Sequence, residues 1–441
     1  LTAADPDLGA GEDNQLRGSG VMFAANVVTA AGALLSTLVV SRVLGAEGRG
    51  DYAFLVTVGA FVTIVSHLGL SEGLGYYAAR HPEERRRLTR LYLGISALLT
   101  LPLSGGAWLL IHQLSPEVAG FDRVGRMALL GLIAVAGTAF DGSLVLALAS
   151  RRFRGAARLS IASTFVPALI TLGLAGAGAL TVDRAILAWA GSRLLIAAAG
   201  WHAGLAGAPA SPGAITHREV LSYSRRSFFA VLSGVFTARA DQWLLGMLSG
   251  AAPLGVYAVA VSVSDPLQHV TSAAQRGYSP HIAVERDAPV ALTERTVRGT
   301  LVALLCTLLV VAPAGWFLLP VVFGDEFAGS RTPFLVLLPG SIGLALLAIF
   351  STGLRSTGSP GASSLVEILA ATVMIAADLV LIPRYGATGA AAGATIGYCA
   401  GGVAGTLVFA RRMGVRRLAI IPRSADIAAA AGVIRRLAAR R

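Results

Sequence analysis

Polar residues along the chain are confined to short intervals. Between them lie twelve apolar runs of about 17 to 25 residues, the length that crosses bilayer hydrocarbon as an α-helix. The runs are approximately Val21–Val43, Tyr52–Leu70, Leu91–Ile111, Arg126–Ala149, Leu159–Leu180, Ala185–Ala206, Ser227–Ser249, Leu254–Ala274, Val297–Val322, Pro333–Leu354, Ser363–Ile382 and Thr388–Arg411. Residues 207–226 separate the sixth from the seventh and contain APASPGA, a run of helix-breaking and turn-forming residues. The pattern predicts an all-α integral membrane protein with two six-helix lobes, residues 20–206 and 227–411. A cytoplasmic acidic tail (1–19) and a basic tail (412–441) flank them.

The lobes repeat one another. RVLGAEGRGDYA at Arg42–Ala53 returns as MLSGAAPLGVYA at Met247–Ala258, so that a shift of 205 places Gly45 on Gly250, Gly50 on Gly255 and Tyr52 on Tyr257. The match continues outward without a gap, with Phe23 on Phe228 and Ala33 on Ala238. A duplicated helical hairpin in a membrane protein points to a transporter whose two bundles move about a central site.

Composition agrees: the chain is 55% hydrophobic and 14% charged, with a mean hydropathy of +0.69. The net charge of +12 points to membrane topology, not to nucleic acid, because the basic residues are all arginines and nearly all sit in short intervals between apolar runs. With the N-terminus inside, 27 of the 36 arginines fall in inner segments and seven in outer ones, leaving Arg193 and Arg239 within spans. This predicts an inner cell membrane protein with both termini in the cytoplasm. Residues 1–19 lack signal-peptide features and are expected to be disordered. The tail after Arg411 is expected to lie on the inner leaflet as an amphipathic helix or to be disordered.

Charges at membrane depth cost about 2.5 to 3.5 kcal/mol each on insertion scales, so those retained mark a polar interior. They are Asp141, Arg193, His202, Arg239, Asp241, Asp265, Glu367 and Asp378, with Glu72 at a span end. Arg239 and Asp241 are two residues apart and face different ways on a helix. Asp265-Pro266 predicts a broken eighth span beside a buried carboxylate. Glu72, Glu367 and Asp378, near span ends, are expected at the interface. Cys306 and Cys399 lie in apolar runs and form no metal or disulfide pattern. No H-E-x-x-H, G-x-S-x-G or P-loop is present, so neither familiar hydrolytic chemistry nor ATP-driven transport has support, and no cofactor is implied.

Three stretches carry a resemblance. SRVLGAEGRGDYAFLVTVGAFVTIVSHLGL in the first hairpin, ARADQWLLGMLSGAAPLGVYAVA around the seventh span and IPRYGATGAAAGA before the last are similar to the polysaccharide-export (O-antigen type) flippases of the multidrug/oligosaccharidyl-lipid/polysaccharide superfamily. The resemblance covers about residues 17–412. It implies two lobes about a cavity open to one side at a time, and passage of an undecaprenyl-diphosphate-linked oligosaccharide from the inner to the outer leaflet. Membrane lipids and a polysaccharide polymerase or glycosyltransferases are the implied partners. The branch that handles the peptidoglycan precursor carries arginines in its first helix and fourteen spans. Here Ala30–Ser36 is neutral, which favours a polysaccharide or teichoic-type repeat unit.

Under this reading Arg239, Arg193 and Asp241 are the substrate-binding candidates, because only the two arginines supply positive charge at depth for a diphosphate. Arg239, in the repeated hairpin, is expected to dominate. Asp241, Asp265 and Asp141 are the ion-coupling candidates. The rival is a cation-coupled multidrug or small-molecule exporter of the same superfamily; a membrane-embedded glycosyltransferase would need a large outer loop that is not seen.

Overall fold

In the computed structural model, residues 6–115, 118–121, 124–206, 215–284, 289–416, 418–424 and 426 are described. They form eleven α-helices and three short 3-10 turns, with no strand among the described residues. The helices are α1 (Pro6–Ser66), α2 (Leu70–Arg80), α3 (Arg85–Leu114), α4 (Val124–Ala149), α5 (Phe153–Gly176), α6 (Val182–Leu205), α7 (His217–Ser249), α8 (Ala251–Val284), α9 (Pro289–Phe323), α10 (Arg331–Ser356) and α11 (Pro360–Arg412).

Two of these are hairpins. α1 turns at Gly45 (φ 68°) and α11 at Gly386 (φ 53°), in left-handed backbone that a residue with Cβ adopts only at a cost. Gly250, the repeat-mate of Gly45, takes the same sign at φ 88° between α7 and α8. The duplication is therefore present in the backbone, and the molecule has about twelve membrane helices in two pseudo-symmetric six-helix lobes. Seven helices, hairpins included, are long and apolar enough to cross a membrane by length and composition. α6, α7 and α8 fall outside that set, and they carry Arg193, Arg239, Asp241 and Asp265.

The chain divides into two compact units, Leu1–Leu232 and Ser233–Arg441, with the boundary inside α7. In the first, α4 is the central helix. Glycines bring its neighbours close: Gly200 and Gly204 of α6 lie against Ser143 and Leu146, and Gly142 lies against Tyr92 and Trp201. Lipid tails are as apolar as leucine, so such close approach, not hydrophobic transfer, holds membrane helices together. One end of this unit is tied by arginines to helix-terminal carbonyls: Arg85 donates to Ala78 (3.0 Å) and Arg87 to Ile215 (2.9 Å), while Arg152 donates to Ala203. At the opposite end Arg126 pairs with Asp183. Asp51 sits beside them in the turn between the first two spans. Burial raises its carboxyl to about 6, against the lowering by Arg126 and with smaller raising contributions from Glu47 and Asp183.

In the second unit, the C-terminal half of α11 carries glycines at every fourth position, Gly389, Gly393, Gly397, Gly401 and Gly405. They lie against Leu381, Asp378, Met374, Ala370 and Phe350 respectively. Gly343 of α10 meets the backbone of Tyr398 and Cys399 so closely that an added Cβ would lie 2.6 Å from the Cys399 nitrogen. The two ends are again distinct: Ser330 donates to Val256 (2.7 Å) at one, while Arg355 pairs with Glu367 (2.6 Å) at the other.

Two expectations are corrected. The eighth span is not broken at Pro266, since α8 is helical through Asp265-Pro266. Pro266 removes a single backbone bond, the one to the Ser262 carbonyl, and the helix continues on both sides of it. The acidic N-terminal segment is helical from Pro6, with proline at the first position and Asp7 in the first turn, both favourable there. The beginning of the basic tail packs on the second unit, and the chain is helical again at Ser424 and Asp426. Leu418 and Ile420 pack on the core around Phe350 and Phe409. Arg298 holds Asp426 (3.0 Å) and the Ala419 carbonyl (2.8 Å), and Glu294 accepts from the Ala419 N–H (2.8 Å). Residues 427–441 lie outside the described residues, as do 207–214 of the connector, which is helical from His217.

Candidate functional site

Each unit encloses charge. In the first, Arg193 lies near the middle of α6, four residues after Trp189 on the same face. Its guanidinium lies 4.2 Å from the Trp189 ring centroid and 4.9 Å from that of Phe140 on α4. Cation–π attraction grows as water is excluded, and Arg193 is half-buried. Asp141, next to Phe140, and Tyr52 both act on this charge electrostatically. Asp141 makes no direct ion pair with it among the described residues, and the buried Nε has no hydrogen-bond partner. The result is a cation fixed by two aromatic rings with donor capacity to spare.

In the second unit Asp241 of α7 is 3% exposed. Its carboxylate accepts the Tyr257 phenol of α8 and the Gln242 backbone N–H (2.7 Å). Asp378 of α11 is fully buried at 0%, and neither of its oxygens has a hydrogen-bond partner. The two carboxyls repel one another, and Tyr257 and Tyr398 lie within the same field. Gly393 makes room: a Cβ there would overlap the Asp378 carboxyl. Among the described residues no group of three or more His, Cys, Asp or Glu side chains converges, so the cluster is two carboxyls and two phenols.

Arg239 is exposed while Asp241 is buried, as their angular offset predicts. Arg193 and Asp141 come together in one unit, Arg239 and Asp241 in the other. Asp265 is half-buried on α8, eight residues beyond Tyr257, or about 12 Å along the helix, and stands apart from the carboxyl pair. Asp378 is a correction: placed at an interface by its nearness to a span end, it is instead among the most buried polar residues. Tyr257 was visible as a repeat position, but nothing in one dimension pairs its hydroxyl with Asp241.

The model of the family described as polysaccharide biosynthesis protein matches residues 39–331, more than half of the chain. No curated protein sequence matches it. Among solved structures, the chain is similar to the lipid II flippase MurJ in an inward closed conformation, with a TM-score of 0.74 at 11% identity over 90% of this chain and 88% of that one. A transporter of the same superfamily from Pyrococcus furiosus gives 0.65 at 13% identity, covering 91% and 95%. A variant of the Vibrio cholerae MATE transporter VcmN gives 0.60 at 14%, covering 91% and 97%. The chain belongs to the polysaccharide biosynthesis protein family and carries the fold of the multidrug/oligosaccharidyl-lipid/polysaccharide flippase superfamily.

Proposed function

We propose that the protein moves an undecaprenyl-diphosphate-linked oligosaccharide from the inner to the outer leaflet of the cytoplasmic membrane by alternating access, for cell-surface polysaccharide assembly. The arginine-rich ends of both units face the cytoplasm in this reading, following the charge bias of the loops. A glycan headgroup cannot cross hydrocarbon unaided, so the protein must shelter sugars and diphosphate while the prenyl chain stays in lipid.

The observation that carries the reading is Arg193: a guanidinium at depth, fixed by Trp189 and Phe140, with a buried Nε lacking an acceptor. Such a group offers bidentate, charge-assisted donors to a phosphate without first breaking an ion pair. Arg239, exposed on α7, is a second anion contact. Asp241 and Asp378 form the coupling element, since two buried carboxyls that repel one another, one of them without any hydrogen-bond donor, favour a proton or small cation between them. Asp141 and Asp265 are secondary candidates for that role.

The test is transport of a lipid-linked oligosaccharide by the purified, reconstituted protein. Arg193→Ala removes charge-assisted hydrogen bonds of about 1.5 to 3 kcal/mol, so transport efficiency should fall about 10- to 100-fold. Arg193→Lys should keep part of it, and Arg239→Ala should also reduce it. Normal transport by a properly inserted Arg193→Ala protein would remove the anion-binding role.

A further inference from the structure

The arginine-rich end of the first unit carries an aromatic cluster that the transport path above does not use. α2 buries Leu70, Gly73, Leu74 and Ala78, which leaves Glu72, Tyr76 and Arg80 along another face at four-residue spacing. α7 crosses next to that face, over Gly69 and Gly73, which have no side chains: a Cβ at either would run into the carbonyl or hydroxyl oxygen of Ser224. The crossing delivers Tyr223. Its ring stacks on Tyr76 with centroids 4.6 Å apart and 27° between planes. Tyr77 stands edge-on to both, at 5.0 and 5.9 Å. Arg80 lies on Tyr76, 3.9 Å above the ring centre.

These groups are unlike the buried tyrosines of the chain. Tyr92 and Tyr257 are fully buried and donate to a carbonyl and a carboxylate. The three shelf tyrosines are partly exposed, and among the described residues neither their hydroxyls nor the Arg80 guanidinium has a hydrogen-bond partner. Glu72 is exposed and makes no ion pair with Arg80, yet its charge reaches the Tyr223 phenol. Tyrosines of an interfacial belt sit at the level of the lipid headgroups; here three rings from two helices are assembled with one cation and one carboxylate.

We propose that Tyr76, Tyr77, Tyr223, Arg80 and Glu72 form a binding shelf for a glycosyl phosphate. The apolar face of a pyranose ring lies on the aromatic shelf, Arg80 meets the phosphate, and Glu72 and the phenols take sugar hydroxyls. This rests on the flippase reading and extends it: the shelf is where the first sugar and its phosphate are received at the cytoplasmic end, before the headgroup reaches Arg193.

The full chain in lipid nanodiscs, titrated with glucose 1-phosphate and N-acetylglucosamine 1-phosphate by saturation-transfer NMR and calorimetry, tests it, with inorganic phosphate as the anion control. A glycosyl phosphate should bind more tightly than inorganic phosphate. Arg80→Gln and Tyr223→Leu should each weaken it about tenfold, the size of one cation–π or aromatic contact. Tyr223→Phe, which keeps the ring, should restore most of what Tyr223→Leu loses. The shelf is overturned if both sugar phosphates bind no better than phosphate, or if Arg80→Gln, a surface change with little effect on folding, leaves binding unchanged. Transport separates the two ideas. Wild-type transport with an unaltered KM in Arg80→Gln sinks the shelf and leaves the flippase; shelf binding without transport by the wild type does the reverse.

Discussion

Replacing Tyr257 by phenylalanine removes one oxygen from a site where its loss can be measured. Both partners are buried, Tyr257 at 0% and Asp241 at 3% exposed, and the phenol O–H donates to the Asp241 carboxylate. A hydrogen bond to a charged acceptor contributes about 1.5 to 3 kcal/mol net, one between neutral groups about 0.5 to 1.5. The vacated volume is too small to hold a replacing water. Tyr257→Phe should therefore cost about 2 kcal/mol in the wild type and about 1 kcal/mol in an Asp241→Asn background. The double-mutant cycle should show a coupling of about 1 kcal/mol. Detergent-titrated unfolding followed by the fluorescence of Trp243, half-buried two residues from Asp241, gives the energies. The same variants in liposomes should show an altered proton or sodium dependence of transport. Costs below about 0.5 kcal/mol in both backgrounds, or strict additivity, would show that the phenol does not support the carboxylate.

Further outcomes follow from the packing, the charge bias and one titrating side chain. Gly343→Ala places a Cβ 2.6 Å from the Cys399 nitrogen and should destabilise by about 1 to 3 kcal/mol, because backbone cannot yield as a side chain does; Gly94→Ala, with open space around it, should be neutral or stabilising. Because the folded-state carboxyl of Asp51 is raised from 3.8 to about 6, the folded protein binds its proton more tightly than the unfolded chain does. That contribution is fully present below about pH 4 and lost as pH rises through about 6, so the thermal midpoint should fall from pH 5 to 7 in the wild type and less so in Asp51→Asn. Single cysteines at 113–122 or 324–332 should react with impermeant reagent from outside cells, and those at 80–87 should not; the reverse pattern would invert the assigned orientation.

The hairpin turn was legible because glycine at Gly45 and Gly250 answers a local backbone need, and local needs leave marks at fixed spacing. Asp241 and Arg193 were legible as charges where hydrocarbon penalises charge. Asp378 was not, because its burial is set by Gly393 on the opposite strand of the α11 hairpin, a contact between helices that distance from a span end does not encode. The Trp189–Arg193 stack lay in plain i, i+4 spacing, but the second ring, Phe140, comes from another helix. The break expected at Pro266 does not occur: proline costs α8 one backbone bond, and the helix runs on through it. The start of the tail after Arg411 is held at Ala419 and Asp426 by Arg298 and Glu294 on α9, more than a hundred residues earlier, a contact that its basic sequence does not encode.

The most direct test of the account is leaflet transfer itself. Purified protein in liposomes carrying a labelled undecaprenyl-diphosphate-linked oligosaccharide on one leaflet should move the label to the other, as read by its loss of accessibility to an impermeant glycosidase. The rate should respond to a proton or sodium gradient and drop in Asp241→Asn. Label that stays where it was placed, while the same liposomes exchange a cationic drug against protons, would contradict the flippase reading and identify the protein as an exporter.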